Sequence, residues 1–202
     1  MFSSRNRRGF TLMEVLLAAG LLSLLLLLHL NIFQGGMSSW QKVETQGSLL
    51  QQLQVAGDRW ARDCLQSSGS NVEVATETMA LLSPTSKTEG PACDPLSGLV
   101  IWRRSEVFFR DAPSREFRLR KLDWPVPSSI AQPIEQVDFG TGLQPLNFYR
   151  NGGDVQARDV DLAEFSRQGN CWQLLLRASQ KRYGREARET VEVRFLAIPR
   201  NQ

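Results

Sequence analysis

Between Arg8 and Lys42 one formally charged side chain, Glu14, stands alone in an uncharged run. A carboxylate near the centre of a membrane helix costs about 2.5–3.5 kcal/mol, less near an end, so an acid placed there calls for a cationic partner. The other residues able to do chemistry are sparse. The single histidine, His29, lies inside the same apolar run, so it is not placed for a Ser-His-Asp site. No P-loop, dinucleotide-binding glycine pattern or HExxH is present. Asp159, Asp161 and Glu164 fall at strand or loop spacing, as on a solvated face. No enzymatic activity, no cofactor and no metal site is expected.

Cys64, Cys93 and Cys171 form no CxxC, and with one histidine a zinc site is not expected. Outside the cytoplasm the arithmetic suggests one disulfide and one leftover thiol, with three pairings open. Cys64–Cys93 is the favoured pair, because Cys64 would end a long helix and Cys93 lies in a Pro/Gly-rich loop; three separate buried thiols are the alternative. Of the 24 Lys and Arg, Arg5, Arg7 and Arg8 precede Gly9, and the remaining 21 balance the 21 Asp and Glu. The net +3 is therefore a local feature, better read as a flag that holds the first residues in the cytoplasm than as a nucleic-acid signature. Two basic groups remain candidates for DNA phosphates: Arg103, Arg104, Arg110, Arg115, Arg118, Arg120 and Lys121, and the set Lys181, Arg182, Arg185 and Arg188. Acids interleave both, which favours solvated faces.

The element that positions Glu14 is the run "RRGFTLMEVLLAAGLLSLLLLLHL", Arg7 to Leu30. Its length suits a helix crossing a bilayer, which needs roughly 20 residues. A secretory signal peptide, a signal anchor and a prepilin leader all begin this way. The following "NIFQGGMSSW" lacks the A-x-A pattern of an ordinary signal peptide. A plain anchor leaves Glu14 unexplained.

The stretch "RRGFTLMEVLLAAGLL" resembles the N-terminus of type IV prepilins and type II secretion pseudopilins: a short basic leader ending in glycine, then Phe-Thr-Leu-hydrophobic-Glu, then a continuous apolar helix. Gly9, Phe10, Thr11, Leu12, Met13 and Glu14 fill each place. The resemblance implies that a membrane prepilin peptidase cuts between Gly9 and Phe10 and that the Phe10 amine is methylated. It implies that Glu14 sets register by meeting such an amine in a helical filament. It also implies partners: other major and minor subunits, an inner-membrane assembly platform, and the membrane itself. The expected location is the cytoplasmic membrane, single-pass with the globular domain outside the cytoplasm, then the filament. The expected organisation is a leader at 1–9, an apolar helix at 10–33, its amphipathic continuation at 34–66 and a globular domain at 67–202 with a variable loop at 67–98.

In the continuation, Val43, Gly47, Leu50, Leu53, Gly57, Trp60 and Cys64 recur at three- and four-residue steps and predict an apolar stripe. Gly35-Gly36 is a soft point where either local unwinding or a simple break between the membrane and soluble segments is expected. Many major pilins place a proline in this stretch; the first here is Pro84. One strand is expected within Val72 to Leu82. Short strands follow at "GLVIWRR", "EVFFR", "REFRLRKL" (Phe117, Leu119 and Leu122 on one face), "IEQVDFG" and "LNFYR", with a turn at "RNGGD". "CWQLLLRAS" and "ETVEVRFLAI" form a final pair. The prediction is an α+β, pilin-like fold: a long N-terminal helix packed on an antiparallel β-sheet.

Size, the late Trp-containing hairpin and the closing "VEVRFLAIPRN" resemble the PilW and GspJ groups of minor subunits. The acid at Glu14, often absent from the subunit at the very tip, points to a place beneath it. Three functions follow as expectations: a minor pilin or pseudopilin that primes or joins assembly of a pilus or secretion pseudopilus; a tip-displayed DNA-binding (competence) or adhesive minor pilin; and a single-pass membrane protein unrelated to filaments.

Overall fold

The apolar run and the amphipathic stripe join in one helix, α1, Leu12–Gln66, in a computed structural model that describes residues 11–67, 72–181 and 188–198. The chain divides into two units, 1–44 and 45–202, and each is described by itself. In the first unit the helix runs unbroken through Gly35 and Gly36, so neither the unwinding nor the break is present there. The hydroxyls of Ser38 and Ser39 donate to the Gly35 carbonyl at 2.9 and 3.1 Å. Two glycines weaken a helix by about 1 kcal/mol each, which a long cooperative helix tolerates.

In the second unit the helix lies on two antiparallel sheets. The larger has the order β1 (Glu73–Ala75), β2 (Thr78–Ser83), β3 (Trp102–Asp111), β4 (Glu116–Ser128), β5 (Asp154–Ala157); the smaller joins β6 (Val160–Gln168), β7 (Cys171–Lys181) and β8 (Arg188–Ala197). The α+β, pilin-like arrangement is as expected, with two sheets in place of one. Leu49, Leu53, Ala56, Trp60 and Cys64 are the buried helix face. Leu50 is 39% exposed and Val43 66%, so the stripe starts later than predicted and passes through Leu49. Met79, Phe108, Phe117 and Leu119 meet this face from the large sheet, and Val160, Phe165, Leu174 and Leu176 from the small one. The Phe117 ring stands between Phe108 and Phe165, at 6.0 and 6.2 Å, and so links the two sheets. Trp60 Nε1 donates to Met79 Sδ at 3.2 Å, which satisfies the polar end of a fully buried ring.

Several predicted strands differ. Residues 72–82 hold two strands, β1 and part of β2, not one. "GLVIWRR" and "EVFFR" merge into β3, because its charged middle finds partners across the ladder: Arg104 opposes Asp123 and Glu106 opposes Lys121. Leu122 turns to the face opposite Phe117 and Leu119, since successive strand residues alternate. There it joins Ala80, Val107 and Phe109. "IEQVDFG" and "LNFYR" are not strands. Pro133 and Pro145 each precede a short 3-10 turn, Ile134–Gln136 and Leu146–Tyr149. Ile134, Leu146 and Tyr149 then cover this second apolar face. Strand β6 was not foreseen. A register shift between Val160 and Leu162 breaks the alternation that would have revealed it.

Candidate functional site: the N-terminal helix

Thr11 and Glu14 close a reciprocal N-cap on α1. The Glu14 amide donates to Thr11 Oγ1 at 3.3 Å, and the Thr11 amide donates to Glu14 Oε2 at 2.9 Å. The Thr11 hydroxyl adds a third contact, donating to the same Oε2 at 3.0 Å. This is the capping box T-x-x-E, which satisfies amides that a helix otherwise leaves orphaned; loss of such a cap costs about 0.5–2 kcal/mol. The spacing Thr11-Leu12-Met13-Glu14 carries that signal in the sequence. Both Thr11 contacts fall on Oε2, so Oε1 is left without a hydrogen bond among the described residues. Glu14 and Thr11 share one open surface of the helix with the apolar Met13, Leu17, Ala18 and Leu21. Gly9 and Phe10 lie outside the described residues.

Fifteen large apolar side chains between Leu12 and Phe33 are more than half exposed. At about 1.5–3 kcal/mol for each such side chain buried, the segment forgoes more than ~20 kcal/mol in water. It needs lipid or other apolar helices around it. Among the described residues α1 is the one helix long and apolar enough to cross a membrane.

The other candidates separate. Six of the seven members of the first basic group pair with acids within the fold, and Arg120 turns instead to the Asn151 side chain and the Tyr149 ring. Arg104 Nε binds Asp123 at 2.6 Å, Arg110 binds Glu77 at 2.8 Å, Lys121 binds Glu106 at 3.2 Å, Arg118 binds Glu116 at 2.5 Å, and Arg103 pairs with Glu89. Arg115 reaches Asp161 at 2.6 Å, Asp159 at 3.5 Å and the Ser179 carbonyl at 2.7 Å, which ties the β3–β4 turn to the small sheet. Asp159 and Asp161 thus hold an arginine. In the second basic group Lys181 and Arg188 face each other across β7 and β8, both exposed. Arg182 and Arg185 lie outside the described residues. Cys64 and Cys93 are free thiols, the first fully buried under the helix and the second exposed in its loop, and Cys171 is free as well. The expected Cys64–Cys93 bond is not formed, because Cys64 points into the core beside Trp60.

A cavity of about 430 Å³ opens beside the edge strand β1, lined by Glu73, Glu135, Pro133, Pro145 and Leu146 among others. Burial, and then the charge of Glu135, push the Glu73 carboxyl up to about 7, while the N–H groups of Glu135 and Ile134 pull the other way.

Residues 4–28 match the family model described as the prokaryotic N-terminal methylation motif. No curated protein and no solved structure matches the chain. The match covers Gly9, Phe10 and Glu14. It supports a type IV pilin-like or pseudopilin subunit with a membrane-anchoring N-terminal helix, a class made of structural subunits.

Proposed function

We propose that the chain is a minor pilin or pseudopilin that primes or joins assembly of a type IV pilus or type II secretion pseudopilus. Prepilin peptidase removes residues 1–9 and methylates the amine of Phe10. The apolar helix holds the subunit in the cytoplasmic membrane, with the globular domain outside the cytoplasm, until the assembly platform moves it among sister subunits. The observation that carries this reading is a methylation-motif N-terminus on a helix whose large apolar side chains from Leu12 to Phe33 are exposed. Glu14 then has two duties. Oε2 caps its own helix through Thr11, and Oε1 accepts the cationic amine of Phe10 on its own chain or a neighbour. In a low-dielectric filament either ion alone is costly, so a wrong stagger is penalised.

The test is fractionation. The chain is expected in sheared surface filaments, or in crosslinks to other pilin-type subunits where the filament stays short. Both should vanish in cells lacking prepilin peptidase. A chain that stays alone in the membrane, indifferent to the peptidase, contradicts the proposal.

A second reading, display of a DNA-contacting hairpin, is favoured by Lys181 and Arg188 standing opposite each other. Like charges placed so repel unless an anion joins them. DNA binding that falls steeply with salt supports it, and no binding at low salt excludes it.

A further inference from the structure

One end of the helix-facing side of the large sheet is charged where the rest is apolar. Arg104 and Glu106 on β3 stand directly opposite Asp123 and Lys121 on β4. Arg104 Nε donates to Asp123 at 2.6 Å, and Lys121 Nζ lies 3.2 Å from Glu106. The side chains of Arg104 and Glu106 are each 5% exposed and 3.8 Å apart. Against this group the last turns of α1 set Asp63, whose carboxyl lies within hydrogen-bonding reach of the Glu106 carboxyl. Arg59, one turn earlier, is turned to Gln156 at 3.0 Å. The charges do not balance in pairs: Glu106 and Asp123 take Lys121 and Arg104, and Asp63 has no ion pair among the described residues. Its Oδ2 is closed to solvent and has no hydrogen-bond partner.

Two ionised carboxyls in contact, away from water, repel strongly and neither can donate. One proton between them turns the contact into an O–H···O⁻ hydrogen bond. We propose that Asp63 and Glu106 share a proton and so latch the end of α1 to the large sheet, and that full ionisation of the pair releases that end. The turn held this way runs to Ser67, which is fully buried and whose hydroxyl donates to the Cys64 carbonyl at 3.1 Å. The charged groups around the pair agree with a proton held near neutrality. Burial, then the charge of Glu106, push the Asp63 carboxyl up to about 7, with Lys121 and Arg59 pulling against them. The folded value of Asp63 lies above that of a free carboxyl, so the latch is complete in mild acid and opens as pH rises through neutrality.

The experiment is hydrogen exchange of the full chain in detergent micelles at pH 6 and pH 8.5, with rates corrected for intrinsic exchange. Protection of the backbone amides at 60–67 is expected to fall at least tenfold between the two in the wild type and to stay constant in Asp63→Asn, whose amide donates at any pH. Equal protection at both pH values in the wild type, or an equal fall in Asp63→Asn, overturns the latch. Should that variant fail to fold, carbon-13 shifts of the wild-type Asp63 carboxyl decide. A titration step in the neutral range supports the shared proton, and a step near the ordinary aspartate value excludes it.

Discussion

At the residue scale, the two purposes proposed for Glu14 are separated by a single pair of substitutions. Glutamine at the third helical position still accepts from the N-cap amide, so Glu14→Gln retains the capping box with Thr11 while removing the charge. Glu14→Val removes both. Both variants should be cleaved normally. If charge pairing with Phe10 sets register, both should be depleted from filaments at least tenfold relative to wild type, measured by immunoblot of sheared fractions. Wild-type incorporation of Glu14→Gln would reduce Glu14 to a helix cap. Gly9→Val should block processing, because the peptidase must hold an extended backbone in a tight subsite; a normally processed variant would remove Gly9 from the site. Glu14 was legible because a lone acid in an apolar run is conspicuous. Its bond to Thr11 is legible too, as T-x-x-E, though an acid in an apolar run points first to a distant cation. Asp63 and Glu106 were not legible. They are 43 positions apart, and nothing local marks either as buried.

At the element scale, the contact between α1 and β8 rests on a missing side chain. A Cβ at Gly57 would lie 2.1 Å from the Phe195 ring, nearer than any real contact. In an open helix Gly→Ala stabilises by roughly 0.5–1 kcal/mol. Gly57→Ala should reverse that sign and destabilise by about 1–3 kcal/mol through overpacking. Phe195→Leu in the same chain should recover part of the loss, and denaturant unfolding of the four proteins gives the coupling. Additive effects would mean that the ring is not what excludes the methyl group. The final hairpin was readable because Val191, Val193 and Phe195 alternate cleanly. The 3-10 turns were not, since Ile134, Leu146 and Tyr149 have strand-like apolarity but serve as a cover for the back of the large sheet. Periodicity reports that a residue is buried, not which face of which sheet it covers.

At the scale of the whole molecule, the globular unit keeps two acids near neutrality, Asp63 and Glu73, each pushed up to about 7 with burial as the first cause. Both release their protons near pH 4 when unfolded. Between those values the folded state binds more protons than the unfolded one, so stability falls as pH rises from about 4 to about 7. The full chain in detergent should therefore melt higher at pH 5.5 than at pH 8, and Asp63→Asn with Glu73→Gln should remove most of the difference. A melting temperature that rises toward pH 8 contradicts this. The general architecture followed from the sequence because it rests on long-range contrasts: an apolar run, a helical stripe and β-rich remainder. The division into two sheets depends on tertiary pairings, such as Phe117 between Phe108 and Phe165, that no local pattern encodes.

The central claim is that this helix is made to leave the membrane as a processed filament subunit. Its most direct test is the N-terminal mass of the protein recovered from native membranes or sheared filaments. The account predicts a chain that begins at N-methylated Phe10. An intact Met1 terminus in cells with an active prepilin peptidase, or a terminus beyond Gly36, would contradict it.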